Sequence, residues 1–181
     1  QRFKNSEIFI HEVRAELARL KSGTSFDVCL FAVGSVGGNE AGSRSDLEVF
    51  LLPHRDNRDP GERSVSRLEE IQVFGHLIRL NDKLELPEFS GDGRFLKIHE
   101  LDDLIQASGD SERDDSENLF TARLLLLLES RPLSNDRLYY VGLERVLENY
   151  FRDGKGRKDF RPLFLLNDAL RYWRTLCLNY E

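Results

Sequence analysis

The sequence predicts an α+β fold: a mixed β-sheet flanked by helices, followed by an all-helical C-terminal portion. Three observations carry this expectation. Two short runs rich in β-branched and aromatic residues, 26–33 and 46–52, flank a glycine-rich connection; helical periodicity surrounds them; and past residue 118 only helical periodicity remains. At 181 residues, 40% of them hydrophobic, the chain can bury one good-sized core or two small ones.

In chain order, Ile8, Ile10, Val13, Leu17 and Leu20 recur at helical spacing and predict an amphipathic helix over 7–20. Strands are expected at 26–33 and 46–52, with Pro53 ending the second. Residues 54–61 are polar and read as a loop. A second helix over 64–80 sets Val65, Leu68, Ile71, Phe74 or Gly75, and Ile78 along one side. Short strands follow at 83–86 and 94–99, separated by the turn Phe89-Ser90-Gly91-Asp92-Gly93. Residues 109–118 hold five acids, one arginine and no apolar side chain, and read as a linker. Beyond it, helices are expected at 119–130, 136–151 and from 162 to the end, joined by a turn at Arg131-Pro132 and a basic loop over 154–158. The predicted organisation is a first domain over 1–108, an acidic linker over 109–118 and a helical domain over 119–181.

Composition excludes several functions. The net charge of −6 argues against a non-specific nucleic-acid binder, leaving nucleic acid a role only as an acceptor at a local site. No apolar run has membrane-spanning length and the N-terminus lacks a secretory layout, so no membrane partner and a cytoplasmic location are expected. Cys29 and Cys177 sit in apolar surroundings and read as buried free thiols; His11, His54, His76 and His99 share no zinc-ligand spacing. The chain opens on Gln1 and stops within a helical pattern, so a longer natural protein is expected.

The residues richest in chemistry are Gly34-Ser35 and, ten residues later, Asp46-Leu47-Glu48. A Gly-Ser step after a strand offers backbone N–H groups and a hydroxyl to an anion, because glycine lets it approach closely. On an extended chain Asp46 and Glu48 project from one side and Leu47 and Val49 from the other. Two adjacent carboxylates repel, and an oxygen-seeking divalent cation relieves the repulsion.

The stretch from Val33-Gly34-Ser35 through Ser45-Asp46-Leu47-Glu48 to Leu51-Leu52 resembles the signature of the DNA polymerase β-like nucleotidyltransferase superfamily: Gly-Ser, ten residues, then acid, apolar, acid. The compact branch is most similar, namely minimal nucleotidyltransferases paired with a helical partner and protein-modifying uridylyl- and adenylyltransferases. The resemblance implies a nucleotidyltransferase mixed sheet, with Gly34, Ser35, Arg44 and Ser45 on a nucleoside triphosphate and Asp46 and Glu48 as catalytic residues holding magnesium or manganese. A hydroxyl of a protein, RNA or small molecule would attack the α-phosphate in line while pyrophosphate leaves. A protein acceptor or a helical partner protein is the favoured partner.

Two positions depart from that pattern. Gly38-Asn39 stands where the family often has Arg-Gly, and Arg44 is the candidate replacement. The family's third carboxylate comes from a later strand, where this chain reads Phe95-Leu96-Lys97-Ile98-His99-Glu100-Leu101-Asp102-Asp103, with Lys97 in the acidic position. His99, Glu85 and Asp92 are the other candidates for that role. Lys97 supports an alternative function, a degenerate nucleotidyltransferase acting as a nucleotide-binding regulatory or antitoxin-like module; a synthase of nucleotide second messengers is a third. In the last helix, Asn167, Arg171 and Arg174 form a polar stripe, with Asp168 and Thr175 beside it, opposite Leu163, Leu166, Leu170, Trp173 and Cys177. The apolar side is expected to face the core.

Overall fold

The computed structural model describes residues 1–20, 27–54, 63–93, 96–106, 114 and 116–179. In order these form α1 (Arg2–Leu20), β1 (Asp27–Ala32), a short α2 (Gly34–Gly37), β2 (Val49–His54), α3 (Arg67–Lys83), β3 (Lys97–Ile98), α4 (Leu101–Gln106), α5 (Leu119–Leu128), β4 (Arg131–Ser134), α6 (Asp136–Tyr150), a 3₁₀ turn (Arg152–Gly154) and α7 (Leu163–Asn179). The strands make one mixed sheet in the order β3-β2-β1-β4. β1 is antiparallel to both neighbours and β3 is parallel to β2. The chain is thus an α+β protein.

Alternation along the two central strands divides the core. Leu30, Ala32, Val49 and Leu51 face α1 and α3, where Ile10, Val13, Leu17, Val73, Leu77 and Leu80 meet them. Cys29, Phe31, Val33, Phe50 and Leu52 face α4, α5 and α6, against Leu104, Ala122, Leu126 and Val146. Burying each of these large side chains contributes about 1.5–3 kcal/mol against the entropy of ordering it. Ionic contacts tie the helices of the first face together, since Lys83 Nζ lies 2.5 Å from the Oε1 of Glu16.

Several elements differ from their sequence expectation, each for a physical reason. Residues 131–134, expected as a turn, pair antiparallel with β1, so the C-terminal portion is not all-helical. Pro132 is accommodated because β4 is a short edge strand. At the bulge between Leu30 and Phe31 the Leu30 N–H turns to Ser134 Oγ, 3.2 Å away. Pro53 lies inside β2 opposite Val28 rather than ending the strand. The bond from Val33 N–H to Glu48 O, 3.0 Å, sets the alternation so that Pro53 directs its missing N–H away from β1.

The start of α3 is fixed by a capping box in which Ser66 Oγ accepts from the Glu69 N–H and the Glu69 carboxylate accepts from the Ser66 N–H. Its buried face is Glu70, Val73, Leu77, Leu80 and Asn81. Leu68, Ile71 and Ile78, expected on the core side, are exposed. Lys83 completes α3 instead of opening a strand over 83–86, and β3 is described only at Lys97–Ile98. Cys177 is exposed, while Cys29 is buried as expected. The loop from 55 to 61 and most of the acidic linker lie outside the described residues. Asp114 is described, and it is buried rather than solvated, its carboxylate taken by Arg123. Among the described residues no helix is long and apolar enough to cross a membrane.

Candidate active site

The site begins where β1 ends. Gly34 turns the chain with φ +60°, a conformation natural to glycine, and α2 follows at once. The Gly38 N–H donates to Gly34 O and the Glu40 N–H to Ser35 O, each at 2.7 Å. Gly37 has no room for a side chain: a Cβ there would lie 2.3 Å from Glu129 O and 2.7 Å from Ala32 O. The connection to β2 is held from both sides. Ser6 Oγ of α1 accepts from the Ala41 N–H at 3.0 Å, and Ser45 Oγ accepts from the Gly42 N–H at 2.9 Å and from the Ser35 hydroxyl at 3.1 Å.

Asp46 and Glu48 precede the first residue of β2, on the extended approach to it. Leu47 and Val49 enter the core on the α1 and α3 face, so alternation sends both carboxylates toward the face covered by α4, α5 and α6. The Ser90 hydroxyl donates to Asp46 Oδ2, bringing the 89–93 turn against the site. Glu48 lies over Gly34, with Oε2 1.8 Å from where a Cβ on that glycine would be. Burial pushes the Glu48 carboxyl above its usual range, and the negative charges of Asp46 and Glu129 push it further in the same direction.

A cavity of about 340 Å³ opens beside Glu48, between the sheet and α5. Phe50, Phe89, Leu96 and Leu125 give it apolar walls, and Ser90, Asn118 and Thr121 bring polar groups. Among the described residues no group of three or more His, Cys, Asp or Glu side chains converges as a metal cage. Magnesium, however, keeps several waters and takes one or two carboxylates together with substrate phosphates. Asp46 and Glu48 suit that mode, being hard oxygen donors whose mutual repulsion a cation would relieve.

The structure brings together Gly34, Ser35, Ser45, Asp46 and Glu48. Arg44 stands exposed in the turn just before Ser45. At Asn39 the side-chain Oδ1 accepts from Arg131 of β4 at 2.8 Å, and Arg131 is anchored in turn by Glu7. Lys97 pairs with Phe50 across β2 and β3, so it projects from the sheet face toward which Glu48 points, and it is exposed. His99 is 5% exposed and its ring lies 4.8 Å from that of Phe50. Burial, with Lys97 adding to it, pulls the imidazole down to about 4 against a smaller opposing pull from Asp103, so it stays neutral near pH 7. Asp92 lines a neighbouring cleft of about 300 Å³ on the far side of Phe89 and Gly93, and Glu85 caps the end of α3 with φ +51°.

Sequence reasoning missed three contributors. In the sequence Ser90 is only one residue of a turn. Glu129 ends α5 beside Gly37 and Gly38, near enough to Glu48 to raise its proton affinity. Tyr172 of α7 donates to Glu129 Oε1 at 3.0 Å, so the last helix holds that carboxylate. No local signal distinguishes Glu129, which follows an ordinary apolar run and reaches the site only through the fold. No protein-family profile, curated protein or solved structure matches the chain.

Proposed function

We propose that the chain is a metal-dependent nucleotidyltransferase that moves a nucleoside monophosphate from a nucleoside triphosphate to a hydroxyl acceptor. The observation that carries this reading is the packing of the Glu48 carboxylate on Gly34, with Ser35 joined to Ser45 beside it. Anion-binding groups and paired carboxylates then share one surface. Ser35 and the backbone around Gly34 would receive phosphate oxygens, Asp46 and Glu48 would hold magnesium or manganese, and the adjacent cavity has room for a base and ribose. Bound there, the cation would neutralise charge developing on the phosphates. The acceptor oxygen forms a bond to the α-phosphorus as the bond to pyrophosphate breaks, and the hydroxyl proton passes to a carboxylate, for which Glu129 is the third acid near the pair.

Transfer of label from each α-labelled nucleoside triphosphate into lysate macromolecules, with magnesium or manganese, tests the proposal. Label lost in Asp46→Ala is the expected result. Absence of label with all four nucleotides, from a folded protein, overturns it. A second reading, a binding module without turnover, is favoured by one observation: β3 directs Lys97, not an acid, to the Glu48 side of the sheet. Nucleotide binding without transfer would select that reading.

A further inference from the structure

Helix α7 turns its less apolar side to the protein. Tyr172 is buried, Leu165, Asp168 and Leu176 are partly buried, and the Arg171 guanidinium sits 4.0 Å from the centre of the Phe120 ring. The side expected to face the core, Leu163, Leu166, Leu170, Trp173 and Cys177, faces away. Its first four members are 65, 57, 60 and 66% exposed, and Cys177 is exposed too. At 3.6 residues per turn the centre of this seam lies roughly 135° from the buried face, so it is not the margin of an intramolecular contact.

The steps along the seam are three, four, three and four residues. That is the heptad spacing of apolar a and d positions with which one helix packs along another. We propose that the α7 seam is a homodimer interface, covered by the same seam of a second copy of this chain. The exposed parts of these residues amount to roughly 600 Å² per copy, so a pair can bury up to about 1,200 Å², the lower end of a specific interface. The positions flanking the seam are Pro162, Asn167, Ala169, Arg174 and Leu176, so Arg174 is the only charge beside it. A second copy therefore meets no row of like charges, and the seam carries no row of charges with which to select an unlike helix. Self-pairing through one patch is also how two-fold dimers form. Because Tyr172 lies on the opposite side of α7, dimerisation leaves its bond to Glu129 intact.

Sedimentation equilibrium of the full chain over a range of concentrations tests the proposal, beside Leu170→Glu and Trp173→Glu. Both side chains are largely exposed, so both variants should keep the parent's circular dichroism and melting behaviour. The expected result is a reversible dimer whose dissociation constant rises at least 100-fold in each variant. In a parallel measurement, the rate at which a thiol reagent modifies Cys177 should fall as protein concentration rises, and should not do so in Leu170→Glu. A parent chain that stays monomeric at about 100 μM, as it would if the seam served another protein or another segment, overturns the proposal. So does a dimer that persists in both variants.

Discussion

The carboxylate of Glu48 occupies the space that a side chain on Gly34 would need: a Cβ on Gly34 would lie 1.8 Å from Glu48 Oε2. Two residues fourteen positions apart are thereby one structural unit, and the requirement for glycine is set by the acid as well as by φ. Gly34→Ala costs about 1–2 kcal/mol for the left-handed backbone, because the Glu48 tip can swing away. That swing displaces the carboxylate, so under the proposed function magnesium-nucleotide affinity should fall at least tenfold while the protein remains folded. Gly37→Ala meets two backbone carbonyls that cannot swing, and should cost more, about 3 kcal/mol. Calorimetric melts and nucleotide titrations of the two variants separate these effects.

The burial of Glu48, with the negative charges of Asp46 and Glu129 adding to it, has a definite pH signature. Its folded pKa lies above the unfolded value, so relative stability is fully present below the ordinary carboxylate range and is lost as pH rises through the folded pKa. Glu48→Gln should therefore melt at a higher temperature than the parent at pH 7 to 8, and the gain should vanish near pH 4. Under the proposed function the same variant should lose magnesium-dependent nucleotide binding. A melting temperature unchanged at every pH would show that burial and the charges of Asp46 and Glu129 impose no net cost on the ionised Glu48.

His99 predicts the opposite slope. Its folded pKa, about 4, lies below the unfolded 6.5, so the unfolded chain takes up a proton that the folded protein refuses. Stability from this group is present above pH 6.5 and declines as pH falls toward 4, by roughly 3 kcal/mol at most. His99→Phe keeps a ring against Phe50 and should flatten that part of the stability-pH curve. Denaturant unfolding of parent and variant at pH 7 and pH 4.5 provides the difference.

Arg123 and Asp114 form a bidentate pair at 2.7 and 2.9 Å, and they are 1% and 3% exposed. Arg123 also donates to the Tyr150 hydroxyl, the Leu104 carbonyl and, at 3.4 Å, Asp168 of α7, and the Tyr150 hydroxyl donates to Asp168 at 2.6 Å. Arg123→Leu strands a buried carboxylate and should destabilise by about 3–5 kcal/mol, lowering the melting temperature by roughly 10 °C or more. Adding Asp114→Asn should restore part of the loss, which a double-mutant cycle measures.

Much of the site's local chemistry was legible because it lies on one continuous stretch. Gly34, Ser35, Ser45, Asp46 and Glu48 join two adjacent strands, and once those strands pair, the connection has few places to go. The edge strand was not legible. Arg131-Pro132 carries the signal of a turn, and only β1 supplies the partner that makes it a strand. Asp114 likewise reads as one more solvated acid in a charged run, and nothing near it in sequence announces the buried guanidinium it meets.

By itself the sequence determined the α+β class, the two central strands and the closeness of the Gly34-Ser35 step to Asp46 and Glu48. Those follow from alternation and helical period, forces that act within a few residues. Only the tertiary structure decided that Glu129 ends beside Glu48, that His99 is buried against Phe50, and that α7 buries Tyr172 while exposing Leu170 and Trp173. A periodic pattern says that a helix has an apolar side, but which side meets the core depends on what the opposing surface offers. Here Glu129 and Asp168 find their partners on Tyr172 and Tyr150, and these partly buried hydrogen bonds lie on the side of α7 that meets the protein.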